Sequence, residues 1–128
     1  MKTNKTDGQE VLNVLASFYK CMDDHRCDAA AESFTDDAVF VLPNGDEIHG
    51  RREIASFLEK RTRRGKHLGL NHTVTFDGDN ATLDADFIFI ELGQPAWSIA
   101  IAGRTVDKLR WDGGWRIERH VVAQKLKF

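Results

Sequence analysis

A chain of 128 residues, 41% apolar and 30% charged, has the make-up of one globular domain that buries about two-thirds of its unfolded surface. Its net charge of −2, from 20 acids against 18 bases, gives no electrostatic footing for nucleic acid or an anionic membrane. No apolar run approaches a bilayer span. The polar stretch Met1 to Glu10 lacks a signal-peptide core, so a cytoplasmic protein is expected.

In chain order, residues 1–6 are expected to be disordered. Thr6 and Gln9 offer a capping box for a first helix running to about Asp24. Asp28 then caps a short helix, Ala29 to Phe34. Ala38 to Leu42 reads as a buried strand. Pro43-Asn44-Gly45 is a turn, and Glu47-Ile48-His49 is its return arm. Arg51 to Arg64 is helical, with Gly65 as its C-terminal cap; the basic run from Arg61 to Lys66 reads as its solvated end. His67 to Phe76 alternates, with His67, Gly69, Asn71, Thr73 and Thr75 on one face and Leu68, Leu70, His72, Val74 and Phe76 on the other. Two long strands follow, Ala81 to Leu92 and Trp97 to Trp111, separated by a break at Gly93-Gln94-Pro95. After the tight turn Asp112-Gly113-Gly114, Trp115 to Gln124 closes the sheet. Helices followed by long antiparallel strands specify an α+β domain, with the helices over a curved sheet and a concave apolar space between them.

One acid stands out. Val11, Leu12, Leu15, Phe18, Tyr19 and Met22 form the apolar face of the first helix. At about 100° per residue, Asp23 borders that face while Asp24 points to solvent. A carboxylate at a helix C-terminus opposes the helix dipole. Asp23 therefore either satisfies a turn amide or serves a pocket under the apolar face. His67 opens a small, polar strand face and is either a surface residue or a pocket residue. If the two pair, Asp23 would hold the imidazole and His67 could shuttle a proton.

Other chemistry-bearing residues read as less committed. His120 sits across the strand from Trp115, Ile117 and Arg119, facing either pocket or interface. His72 faces away from His67, and His25 and His49 read as loop residues. Arg104, Asp107, Arg110 and Arg119 read as a charge lattice on the sheet surface. Trp97, Trp111 and Trp115 read as core or interface anchors. Cys21 and Cys27, six residues apart, lack zinc spacing; reduced thiols are expected, with a disulfide as the alternative. No phosphate loop or nucleophile elbow is present, so neither metal nor cofactor is expected.

The closing hairpin, Gly103 to Arg119, contains Asp107, Arg110, Gly113-Gly114-Trp115-Arg116-Ile117 and Arg119. Together with Met22-Asp23 ahead of Asp28, Gly50-Arg51-Arg52-Glu53-Ile54, and Lys66-His67 followed by Asn71, it resembles SnoaL-like proteins of the nuclear transport factor two-like superfamily. The resemblance covers about residues 8–124, with Thr105 in place of a usual tyrosine. It implies a cone-shaped α+β barrel around an internal pocket, and a homodimer through the outer sheet face. Members include scytalone dehydratase, bile-acid dehydratase, ketosteroid isomerase and polyketide cyclases. The scytalone-dehydratase-like branch carries Asp and His at the positions of Asp23 and His67, with two tyrosines and a second histidine. Here Tyr19 is the only tyrosine, Met22 stands where one family tyrosine would be, and the second histidine would fall near Ala100. The ketosteroid isomerase arrangement is not recognisable.

Two readings follow. The first is a cofactor-independent dehydratase, isomerase or cyclase acting on a small apolar cyclic molecule. Asp23, His67 and Tyr19 would do the chemistry, with Asn71, Phe18, Met22 and Leu15 around the substrate. The second is a non-catalytic ligand-binding or assembly domain on the same fold.

Overall fold

The structure is a computed structural model and describes residues 5–93 and 96–127. Three helices, α1 (Gly8–Asp23), α2 (Cys27–Ala31) and α3 (Arg51–Glu59), accompany six strands: β1 (Phe34–Val41), β2 (Glu47–His49), β3 (Gly65–Asp77), β4 (Asn80–Glu91), β5 (Ser98–Trp111) and β6 (Trp115–Lys127). The strands form one curled, open sheet in the order β2-β1-β6-β5-β4-β3. It is α+β as expected, but the cone does not close, and β2 and β3 are its edges. All pairings are antiparallel except β1 with β6, which is parallel.

α1 carries the core. Val11, Leu15, Phe18 and Met22 project from one face onto a sheet layer that includes Leu83, Ala85, Leu109 and Ile117. Burial of that apolar stripe, rather than intrinsic propensity, holds the helix in place. Ile54 and Leu58 pin α3 to the same core. No helix among the described residues is long and apolar enough to cross a membrane.

Several local expectations change. Asp7, not Thr6, caps α1, its carboxylate accepting from the Gln9 backbone N–H at 2.9 Å. Lys5 belongs to the ordered chain: its carbonyl accepts from the Trp115 indole at 3.2 Å, and its ammonium pairs with Asp79. Residues 1–4 lie outside the described residues, as do Gln94 and Pro95 of the expected break. Asp28 lies inside the first turn of α2 rather than at its cap. β1 starts four residues earlier than expected, at Phe34. α3 ends at Glu59, not at Arg64, so residues 61–64 form a connection rather than a helix end. Gly65 is the first residue of β3. A Cβ there would lie 2.0 Å from the Ile90 carbonyl oxygen, so glycine serves close strand approach instead of a helix cap.

Two of the sheet's register shifts bear on the site. In β3 the register with β4 shifts between Leu70 and Thr73, where Asn71 has φ +54°. In the β5–β6 hairpin the register shifts between Leu109 and Lys108. Each inserts one residue and reverses the inward–outward phase beyond it.

Candidate functional site

Asp23 is the last residue of α1, and its carboxylate reaches across to the start of β3. Oδ1 lies 2.6 Å from Nδ1 of His67, and Oδ2 accepts from the His67 backbone N–H at 2.8 Å. The amide that satisfies this acid belongs to a residue 44 positions away, not to the local turn. Both groups are largely withdrawn from water, with side chains 13% and 10% exposed for His67 and Asp23. A carboxylate only accepts, so Nδ1 carries the ring proton and Nε2 keeps its lone pair. Among the described residues, nothing in the protein hydrogen-bonds Nε2.

His67 lines a cavity of about 270 Å³ between helices and sheet. The walls are mainly aromatic and aliphatic, from Phe18, Tyr19, Met22, Phe40, Phe57, Phe87 and Phe89 among others. Asp23 is not on the wall; it stands behind His67 and fixes the ring. Tyr19 stacks on the imidazole, with centroids 5.1 Å apart and planes at 16°. Phe89 covers another side at 4.7 Å. Gly69 lies beside this stack: a Cβ there would touch the Tyr19 ring at an ordinary 3.6 Å and crowd Nε2 of His72 at 3.0 Å.

Burial holds the His67 pKa below its ordinary 6.5. The Asp23 hydrogen bond and charge oppose that shift, while Arg61 and His120 add to it. His67 is therefore neutral at pH 7, with a basic nitrogen in an apolar space. Tyr19 is held protonated well above its usual range, first by burial and then by the Asp107 charge. It is a donor, not a base.

A second acid–histidine pair faces the same cavity. His120 on β6 lines it, and its Nδ1 meets Oδ1 of Asp107 on β5 in a short contact. Asp107 is fully buried. This corrects two sequence readings. Asp107 is in phase with Thr105 and Leu109, facing inward, and is no part of the surface lattice. His120 faces the same side as Trp115 and Ile117, because the hairpin bulge resets the phase before it. Oδ2 of Asp107 is buried without a partner, and the Thr105 hydroxyl, close to Tyr19, makes no well-formed hydrogen bond. Both are polar atoms poised for something the apolar walls do not supply.

The remaining site residues divide. Phe18 and Met22 line the cavity. Leu15 does not; it is packed in the core one turn before Phe18. Asn71 is exposed, and its amide donates to Oδ2 of Asp86 at 3.0 Å. It sits at the β3 bulge, which takes it out of phase with His67. The same bulge returns His72 to the face of Gly69, opposite to expectation. Cys21 and Cys27 are buried free thiols, and burial raises the Cys27 pKa. Arg61, read as a solvated helix end, lines the cavity. The arginine lattice itself holds on the outer face: Arg104 pairs with Asp84 and Asp86, Arg110 with Asp37 and Glu118, and Arg119 with Glu47.

Solved structures share this architecture. Rv3472, a function-unknown protein from Mycobacterium tuberculosis, is 24% identical with a TM-score of 0.86, over 91% of this chain and 70% of that one. An NTF2-like protein with a cystatin-like fold from Novosphingobium aromaticivorans is 21% identical with a TM-score of 0.86, over 92% and 81%. ActVI-ORFA from Streptomyces coelicolor is 19% identical with a TM-score of 0.82, over 91% and 96%. At these identities the likeness establishes the fold. No curated protein matches the sequence. The SnoaL-like domain matches residues 5–121, from the turn before α1 into the middle of β6, and the chain belongs to that family.

Proposed function

We propose that this protein is a cofactor-independent proton-transfer enzyme for a small, largely apolar, cyclic substrate. One observation carries the reading: a histidine held by both oxygens of one buried carboxylate, on the wall of an apolar cavity. Nε2 of His67 takes a proton from a carbon beside a carbonyl, and the electron pair moves onto the carbonyl oxygen. Tyr19, kept protonated, donates a hydrogen bond to that oxygen. His67, now an imidazolium supported by Asp23, returns the proton to another carbon in an isomerisation or to a departing hydroxyl in a dehydration. His120, held by Asp107 on the same cavity, is a second group able to handle a proton.

Asp23→Asn tests the arrangement. The Asp23 charge raises the His67 pKa against the effect of burial. Its removal should move the acidic limb of the pH–rate profile to lower pH and reduce the plateau. The assay is hydrogen–deuterium exchange at the α-carbon of 2-tetralone, followed by NMR. A limb that stays in place would contradict the pairing as the source of the basicity.

We also propose a homodimer through the outer sheet face. Leu68, Leu70 and Ile99 are exposed there, beside the arginine–carboxylate lattice. Sedimentation at micromolar concentration should give a dimer, and a single monomer species would contradict it.

A further inference from the structure

Arg61 is the unexplained charge of the cavity. It follows the end of α3 in the connection to β3, and its half-buried side chain lines the wall that also holds Met22, Leu58 and His67. Four other half-buried arginines in the described residues each have an acid within reach. Arg51 has Asp36 at 2.7 Å, Arg104 has Asp86 at 3.1 Å, Arg110 has Asp37 at 3.3 Å, and Arg119 has Glu47 at 3.5 Å. Among the described residues, the Arg61 guanidinium makes no ion pair or hydrogen bond; only the backbone N–H is engaged, donating to the Leu58 carbonyl at 3.2 Å. Its neighbour on the cavity wall, Arg63, is committed to Glu91 at 2.6 Å. Asp23 is close enough to act on Arg61 through its charge, but both its oxygens are taken by His67.

A guanidinium half withdrawn from water, with no acid in contact, carries an uncompensated desolvation cost that a ligand can offset. Its planar fork matches a carboxylate in two parallel hydrogen bonds. We propose that Arg61 binds the carboxylate of an aromatic or alicyclic acid, anchoring the ring of that substrate in the cavity beside His67. The site then has a division of labour: aromatic walls take the ring, Arg61 takes the anion, and His67 meets the carbon skeleton. The role of His67 in this rests on the proton-transfer reading above; the binding of the acid does not. Arg61 also depresses the His67 pKa. A carboxylate that neutralises it would therefore make His67 a stronger base in the complex than in the free protein.

The test compares 2-naphthoate with its neutral analogue 2-naphthamide by isothermal titration calorimetry. The intact protein should prefer the acid by about tenfold or more, the worth of a charge-assisted hydrogen bond. Arg61→Gln should abolish the preference, weakening binding of the acid by more than that of the amide. Arg61→Lys, which keeps the charge but not the fork, should retain part of it. His67→Ala should retain the preference, so a failure of the catalytic reading leaves this result standing. Equal binding of acid and amide by the intact protein, no binding of either, or an acid preference that survives in Arg61→Gln would overturn the proposal. Should Arg61→Gln fail to fold, a full acid preference in Arg61→Ala or an absent one in Arg61→Lys decides against it.

Discussion

Replacing His67 by alanine is expected to slow α-proton exchange on 2-tetralone by about 10²–10⁴-fold, the usual worth of a positioned general base. The expectation follows from geometry first. Nδ1 is fixed on Asp23 at 2.6 Å, which dictates the tautomer and presents Nε2 as the acceptor. Burial keeps the ring neutral at pH 7, so no proton has to leave before the base can act. The loss should fall on turnover more than on binding, because the aromatic walls remain. The fold should persist: Oδ2 of Asp23 still has the backbone N–H of residue 67, so the acid is not left without a donor. Cooperative thermal unfolding measures that part. Exchange by the variant at the rate of the intact protein would leave the non-catalytic binding reading standing.

The depressed His67 pKa also has a stability consequence. A histidine favoured in its neutral form by folding contributes its stability fully above the unfolded value of 6.5. That contribution is lost as pH falls through the lower folded value. Activity and stability should therefore decline together on the acidic side of 6.5.

Phe18→Ala should be the most damaging single truncation in the core, costing about 3–5 kcal/mol. The ring is fully buried. It meets Phe34 edge-on at 5.1 Å and 89°, and His120 at 5.3 Å and 73°. It is also one of the residues at which core and cavity share a wall. Removing it enlarges a space already present, so the neighbours have nothing to collapse onto. Urea unfolding would report the loss as a lower midpoint with an unchanged slope. A cost under about 1 kcal/mol would mean that α1 is not held by this face.

The residues explain what could be read beforehand. α1 was legible because its apolar stripe has a helical period. Asp23 was legible because an acid at the border of that stripe and at the negative end of a helix has no local reason to be there. His67 followed from a strand start whose face carried no large apolar groups. The misplaced Asn71 and His120 come from single inserted residues. Asn71 was expected beside His67 by simple alternation, and the bulge at Asn71 itself breaks that alternation. His120 was placed opposite to Trp115 and Ile117 for the same reason, since the shift in the hairpin lies between them. A bulge costs the sequence one residue and leaves no compositional mark, but it reverses every side chain beyond it. Asp107 is different: its phase with Leu109 was already visible, and its charge alone suggested the surface. The parallel pairing of β1 with β6 joins distant segments and has no local signature.

A nitrogen-detected NMR titration of the histidine rings in the intact protein separates the possibilities without any substrate. The poised base described here requires His67 to be protonated on Nδ1 and bare on Nε2 at pH 7, with a midpoint below 6.5. A ring protonated on Nε2, or one that titrates above 6.5 as an imidazolium paired to Asp23, would contradict it.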